Sequence, residues 1–119
     1  MQITIALLSS LALVATSLAA PEERAASFTT WNCNDCARNG GGSACSQKNH
    51  QDIKSETCFT LEPNQQSLVV DYAVRSSCYV QLYASRDCSG NGPTYNYDLT
   101  KPCRPIPANE RSSYQVLCN

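Results

Sequence analysis

CYVQLYASRDCSG, from Cys78 to Gly90, is the stretch that decides the fold. Tyr79 to Tyr83 is a short run of β-branched and aromatic side chains, which predicts a strand. Val80 and Leu82 share one face if no bulge intervenes, and Tyr79, Gln81 and Tyr83 on the other face are large as well. That predicts a strand covered on both sides. Arg86 to Pro93 (RDCSGNGP) then ends the strand with dense turn chemistry. Cys78 and Cys88 bracket the unit.

Outward from this strand the same pattern recurs. Ser27 to Trp31 alternates polar and aromatic residues and reads as a first strand. Thr57 to Leu61 and Ser67 to Val74 read as two more, split by Glu62-Pro63-Asn64-Gln65-Gln66. Thr94 to Leu99 alternates again, with Tyr95 and Tyr97 on one face. Cys103 to Pro107, rich in proline, suits a sheet edge or an irregular segment. Ser113 to Cys118 is the last strand. Only Gln47 to Glu56 has room for a helical turn, and it reads equally as a polar loop. Gly40-Gly41-Gly42 sits in the turn-rich span Asn32 to Ser46. No Gly-Lys-Ser/Thr follows it, so it reads as a hairpin tip and not a phosphate loop. Many short strands separated by turns predict an all-β fold, a small disulfide-rich β-sandwich.

The chain has 119 residues, and Met1 to Ala20 carries no charge. That segment has an apolar stretch and a small-residue end, as in a secretory signal peptide, although basic residues are missing from its start. Polar residues interrupt it too often for a membrane span. Residues 21–26 read as a flexible tail, and 27–119 as a single disulfide-stapled domain. All eight cysteines, Cys33, Cys36, Cys45, Cys58, Cys78, Cys88, Cys103 and Cys118, lie in that domain. An even number in a small exported chain predicts four bridges, each contributing about 2–4 kcal/mol. The expected location is secreted and extracellular. Net charge is −1 and no basic block occurs, which disfavours nucleic acid and anionic membranes as partners.

The two halves of the domain echo each other. Trp31 is followed by Asp35-Cys36 and Tyr83 by Asp87-Cys88, at the same offset. Cys58 and Cys103 each precede a Pro and then an Asn-x-x-Ser element. The repeats run from about 28 to 74 and from 78 to 119, and two four-strand units can pack face to face. This pattern resembles the βγ-crystallin family, whose Greek-key motif is an aromatic residue, four intervening residues, a second aromatic, any residue, then Gly. Tyr83 to Gly90 fits, with Cys88 in the second aromatic place; Trp31 to Arg38 fits less well, with Cys36 and Arg38 in the aromatic and glycine places.

The same resemblance implies a fold of two Greek-key motifs and points to a calcium motif, of which Asn109 and Ser112 survive in the second repeat and Asn64 and Ser67 in the first. Pro63 and Ala108 stand where an oxygen ligand belongs, so weak or absent calcium binding is expected, and no metal or cofactor is assigned. The Greek-key order also implies one bridge. The fourth strand returns antiparallel to the first, which brings Cys78 beside Cys118.

The candidates for chemistry are few. His50 is the only histidine; in Lys48-Asn49-His50-Gln51-Asp52 it reads as solvated, not as a general base. Glu56, Glu62, Asp71, Asp87 and Asp98 form no recognisable acid–base pair. Cys33-x-x-Cys36 lacks the second close pair that a zinc site requires. Tyr79, Tyr95, Tyr97 and Tyr114 could stack on a sugar or a protein; Tyr79 and Tyr114 read better as core. The whole is similar to small cysteine-rich proteins secreted by filamentous fungi, which implies a non-enzymatic effector, elicitor or antimicrobial toxin. Its partner would be an extracellular protein or glycan of a host or competitor. The alternatives are an extracellular calcium-binding or cell-wall structural domain and, third, a small hydrolase.

Overall fold

Every second side chain of Cys78–Tyr83 is sealed: Cys78, Val80 and Leu82 are all 0 % exposed. Tyr79 and Gln81 between them are half-buried. The strand therefore lies mid-sheet with its outer side partly covered, as its composition predicts. The computed structural model describes residues 21–38, 45–107 and 111–119. The expected leader (1–20), the triple glycine (40–42) and Ala108-Asn109-Glu110 lie outside them.

Eight strands make up the described chain: β1 Ala26–Trp31, β2 Gln47–Ile53, β3 Phe59–Thr60, β4 Ser67–Ala73, β5 Cys78–Tyr83, β6 Thr94–Asn96, β7 Arg104–Pro105 and β8 Ser113–Cys118. No helix occurs among the described residues. The strands form two four-stranded antiparallel sheets, ordered β2-β1-β4-β7 and β3-β8-β5-β6. The halves do not form one sheet each, as face-to-face packing of two repeats implies. Each half keeps three strands together and sends its third, β3 or β7, to the edge of the other half's sheet. An edge place suits β7, because Pro105 has no N–H to offer a further neighbour.

The exchange is anchored by matching bonds. Leu61 N donates to Ser112 O (2.9 Å), and Ile106 N donates to Gln66 O (2.8 Å). Leu61 and Ile106, just beyond the exchanged strands, are both buried. They join Phe28, Leu68 and Val70 from one sheet and Val80, Leu82, Tyr95, Tyr114 and Val116 from the other. Each large side chain sealed there contributes about 1.5–3 kcal/mol relative to exposure.

Two segments differ from their sequence reading. Gln47 to Ile53 is neither helical turn nor loop but an edge strand, with only His50 and Ile53 buried. Ala26 faces Ile53 and Phe28 faces His50, so β2 holds one residue more than β1 between those pairs. The extra residue is accommodated at a bulge, where Asp52 has φ 53° and its N–H donates to Ser27 Oγ (2.9 Å). A bulge turns the strand's period of two into a spacing of three, which in the sequence resembles a helix. The second segment is 21–26, expected as a loose tail. Ala25 and Ala26 are buried (0 % and 1 % exposed). Glu22 and Ser55 exchange bonds, Glu22 N to Ser55 Oγ (2.7 Å) and Ser55 N to Glu22 O (2.9 Å).

Candidate functional site

The internal repeat becomes a geometric one. After β1 and after β5 the chain folds back over its own sheet and covers a serine. Ser67 Oγ accepts from Cys36 N (3.0 Å) and donates to Cys33 O (2.5 Å). Ser113 Oγ accepts from Cys88 N (3.1 Å) and donates to Ser85 O (2.5 Å). Cys36 and Cys88 share the left-handed conformation that this fold-back requires, with φ 53° and 57°. Gln66 N and Ser112 N donate to Trp31 O (2.7 Å) and Tyr83 O (2.8 Å).

Ser67 thus corresponds to Ser113, and Gln66 to Ser112, one residue away from the frame in which the calcium motif is written. The first repeat keeps Asn64 in an exposed turn (φ 67°) but has glutamine where the second has Ser112. Ser67 is sealed at 0 % exposure with its hydroxyl already donating and accepting, so it is not a ligand for an ion. Asn109 lies outside the described residues.

All eight cysteines are paired: Cys33–Cys45, Cys36–Cys103, Cys58–Cys88 and Cys78–Cys118. Cys78 and Cys118 face each other across β5 and β8 with Cα atoms 4.0 Å apart. The middle two bridges are mirror counterparts. Cys36, in the fold-back of the first half, holds Cys103 beside β7; Cys88, in the fold-back of the second, holds Cys58 beside β3. Each half's exchanged strand is therefore tied covalently to the other half. Arg38 adds to the first tie by donating to the Lys101 carbonyl.

Cys33, Cys45 and Asp35 bring three potential ligand atoms within 4.8 Å of one another. Their two sulfurs are already bonded to each other, so neither is the thiolate that a metal takes. Cys33 and Cys36 go to different partners and form no redox pair.

His50 is not solvated; it is 9 % exposed. Its ring stacks on Phe28 (centroids 4.3 Å apart, 12° between planes) and meets the edge of Tyr114 at 5.2 Å. Nε2 lies 3.1 Å from Thr30 Oγ1. Burial, with a smaller contribution from the Lys48 charge and a counteracting one from Glu62, pushes its pKa down from 6.5 to about 4. Tyr114, packed between His50 and Phe59, is pushed up to about 12 by burial. The sequence gives little sign of this cluster, because the partners that bury His50 come from β1 and β8.

The carboxylates are equally committed. Glu62 pairs with Lys48 (3.0 Å), and Asp71 accepts from Thr29 Oγ1 (2.6 Å). Asp87 accepts from Ser89 Oγ (2.6 Å), and Asp98 from Thr100 N (2.9 Å). The Ser89 hydroxyl lowers the pKa of Asp87, and the Thr100 amide that of Asp98. A general acid needs the opposite shift. Glu56, also exposed, has φ 57°. Among the tyrosines, Tyr95 is core, not surface, and its hydroxyl donates to Pro105 O (3.0 Å). Tyr97 packs against the same core, so the two do share a face. Tyr114 is core, as read, whereas Tyr79 faces outward and is half-buried.

One concavity gathers unspent polar groups. Thr60, Leu61 and Pro63 from the first half meet Arg86, Arg111 and Ser112 from the second around a groove of about 170 Å³. It lies where the exchanged β3 crosses onto the second sheet, next to the Cys58–Cys88 bridge. Comparison of the chain with family models, with curated proteins and with solved structures gives no match.

Proposed function

We propose that the chain is a non-enzymatic binding module exported from its cell, with a βγ-crystallin-like architecture of two Greek keys, that acts as an effector or antimicrobial toxin on a host or competitor surface. The observation that carries this reading is the crossed pair of bridges, Cys36–Cys103 and Cys58–Cys88, which fastens the exchanged strands of a small β-sandwich. Such a scaffold suits persistence in an oxidising compartment outside the cell. Greek-key order is supported by the fourth strand of each half lying beside the first, β4 on β1 and β8 on β5. The exchange of third strands supports the pairing of two such units. A binding role and not a catalytic one is supported by the fate of the candidate groups. His50 is packed neutral between aromatic rings, and Asp87 and Asp98 are held as anions.

The test is to apply the purified oxidised protein to plant tissue and to competing microbes over a broad dose range, beside a reduced and alkylated sample. Dose-dependent injury or growth arrest, lost on reduction, is the expected result. No effect of the oxidised protein on either target would refute the reading. Hydrolytic activity abolished by His50→Ala in a still-folded protein would replace it with an enzyme.

A further inference from the structure

We infer that the groove between the halves is an anion site, built for a tetrahedral oxyanion such as a phosphate or sulfate ester. The inference goes beyond the proposed function and does not rest on it. Arg86 and Arg111 bring two guanidiniums to one concavity, lined also by the hydroxyl-bearing Thr60 and Ser112. Nε of Arg111 is sealed from solvent without a hydrogen-bond partner. A buried charged donor left unpaired is unfavourable by more than a neutral one, so an anion in the groove that draws the side chain outward and bonds to it offsets that cost.

Two of the carboxylates next to these residues in the chain are engaged elsewhere, and Glu110, beside Arg111, lies outside the described residues. Glu62, beside Pro63, is paired with Lys48, and Asp87, beside Arg86, is bonded to Ser89. The ion pairs among the described residues, Lys48–Glu62, Lys54–Glu23 and Arg75–Glu22, include neither arginine of the groove. Leu61, 3 % exposed, and Pro63 supply an apolar wall, which lowers the local dielectric and strengthens the field of the two cations.

The number of donors selects the shape of the anion. A guanidinium fork satisfies both oxygens of a planar carboxylate by itself. Two arginines and two hydroxyl-bearing residues along one groove offer more donors than those oxygens need, which matches a tetrahedral group. The same charge works against a cation. Ser112, a survivor of the calcium motif, lines a groove that repels calcium.

The experiment is a titration of the full oxidised protein with inorganic phosphate, inorganic sulfate and acetate at constant ionic strength, followed by the arginine Nε–Hε resonances in NMR. Glucose 6-phosphate and a sulfated monosaccharide are the ester arms, which separate a phosphate from a sulfate source. The expected result is a saturable shift of the Arg111 Nε–Hε signal with a millimolar midpoint for phosphate or sulfate. The same midpoint should be at least tenfold weaker for acetate and for the Arg86→Gln variant. Arg86 is exposed, so this variant keeps the fold, which its unchanged amide spectrum verifies. Arg111→Lys, which retains charge but loses the fork, should abolish saturation at the remaining amide signals of the groove. A linear response to all three anions, or an Arg86→Gln titration identical to wild type, would overturn the inference. Saturation by acetate as tight as by phosphate would overturn the tetrahedral assignment.

Discussion

Ser67 and Ser113 do the same work in the two halves of the chain. Each is sealed, each accepts from a cysteine N–H in the left-handed conformation, and each donates to the carbonyl three residues before that cysteine. Replacing either by alanine strands an N–H and a C=O at a fold-back, in bonds that are buried or part-buried. A buried group left without its partner costs about 1–3 kcal/mol. Urea denaturation should therefore show Ser67→Ala and Ser113→Ala to be destabilising by similar amounts in that range. A neutral outcome at one site would break the equivalence of the halves.

Gly92 is a second point where the backbone leaves no room. A Cβ there would lie 1.6 Å from Leu82 O and 2.8 Å from Leu82 C, both backbone atoms that cannot step aside. Gly92→Ala should cost at least about 3 kcal/mol or prevent folding. Gly90, at φ +87°, has nothing within 4 Å of that position. Gly90→Ala should therefore cost only the left-handed strain, about 1–2 kcal/mol. Thermal melts of the two variants check the contrast, and equal melting temperatures would contradict it.

His50 ties stability to pH. Its folded pKa, about 4, lies below the value near 6.5 of an unfolded histidine, so the fold favours the neutral ring. The contribution is complete above pH 6.5 and is lost as pH falls toward 4, because the unfolded chain then takes up a proton that the folded one refuses. At about 1.4 kcal/mol per pH unit the loss over that window is on the order of 3 kcal/mol. His50→Phe keeps an aromatic ring against Phe28 and removes the titration. The stability difference between wild type and variant, measured by denaturant titration, should shrink or reverse between pH 7 and pH 4. A difference that stays constant with pH would mean the ring is not buried neutral.

Calcium should not bind with useful affinity. Pro63 offers no side-chain oxygen, the hydroxyl of Ser67 is consumed, and Arg86 and Arg111 face the groove that Ser112 lines. A calcium site needs six to eight oxygens at close range. Calorimetry should register no saturable heat at micromolar to millimolar calcium. A micromolar dissociation constant would restore the extracellular calcium-binding alternative.

What the sequence discloses follows from where the information resides. β5 is legible because its composition, its alternation and its turn all agree. The four bridges are legible as a number, and Cys78–Cys118 as a pair, because strand order brings those residues opposite. β2 is not legible, since its two buried residues are spaced by a bulge that only pairing with β1 creates. The anchoring of 21–26 depends on Ser55, far along the chain. The burial of His50 likewise depends on Phe28 and Tyr114, neither of them near it in sequence. The composition of the repeat is visible in the sequence, but the exchange of β3 and β7 is not, because a two-residue strand carries no mark of the sheet it will join. The groove is invisible for the same reason: Thr60, Leu61 and Pro63 join Arg86, Arg111 and Ser112 only once β3 has crossed.

The exchange of strands between the halves is the claim on which the fold, the proposed function and the groove all depend, and peptide mapping of the unreduced protein tests it most directly. Proteolysis should release one fragment joining Cys36 to Cys103 and another joining Cys58 to Cys88, each linking the two halves of the chain. Fragments joining Cys36 to Cys58 and Cys88 to Cys103 would keep each half's third strand at home and contradict the account.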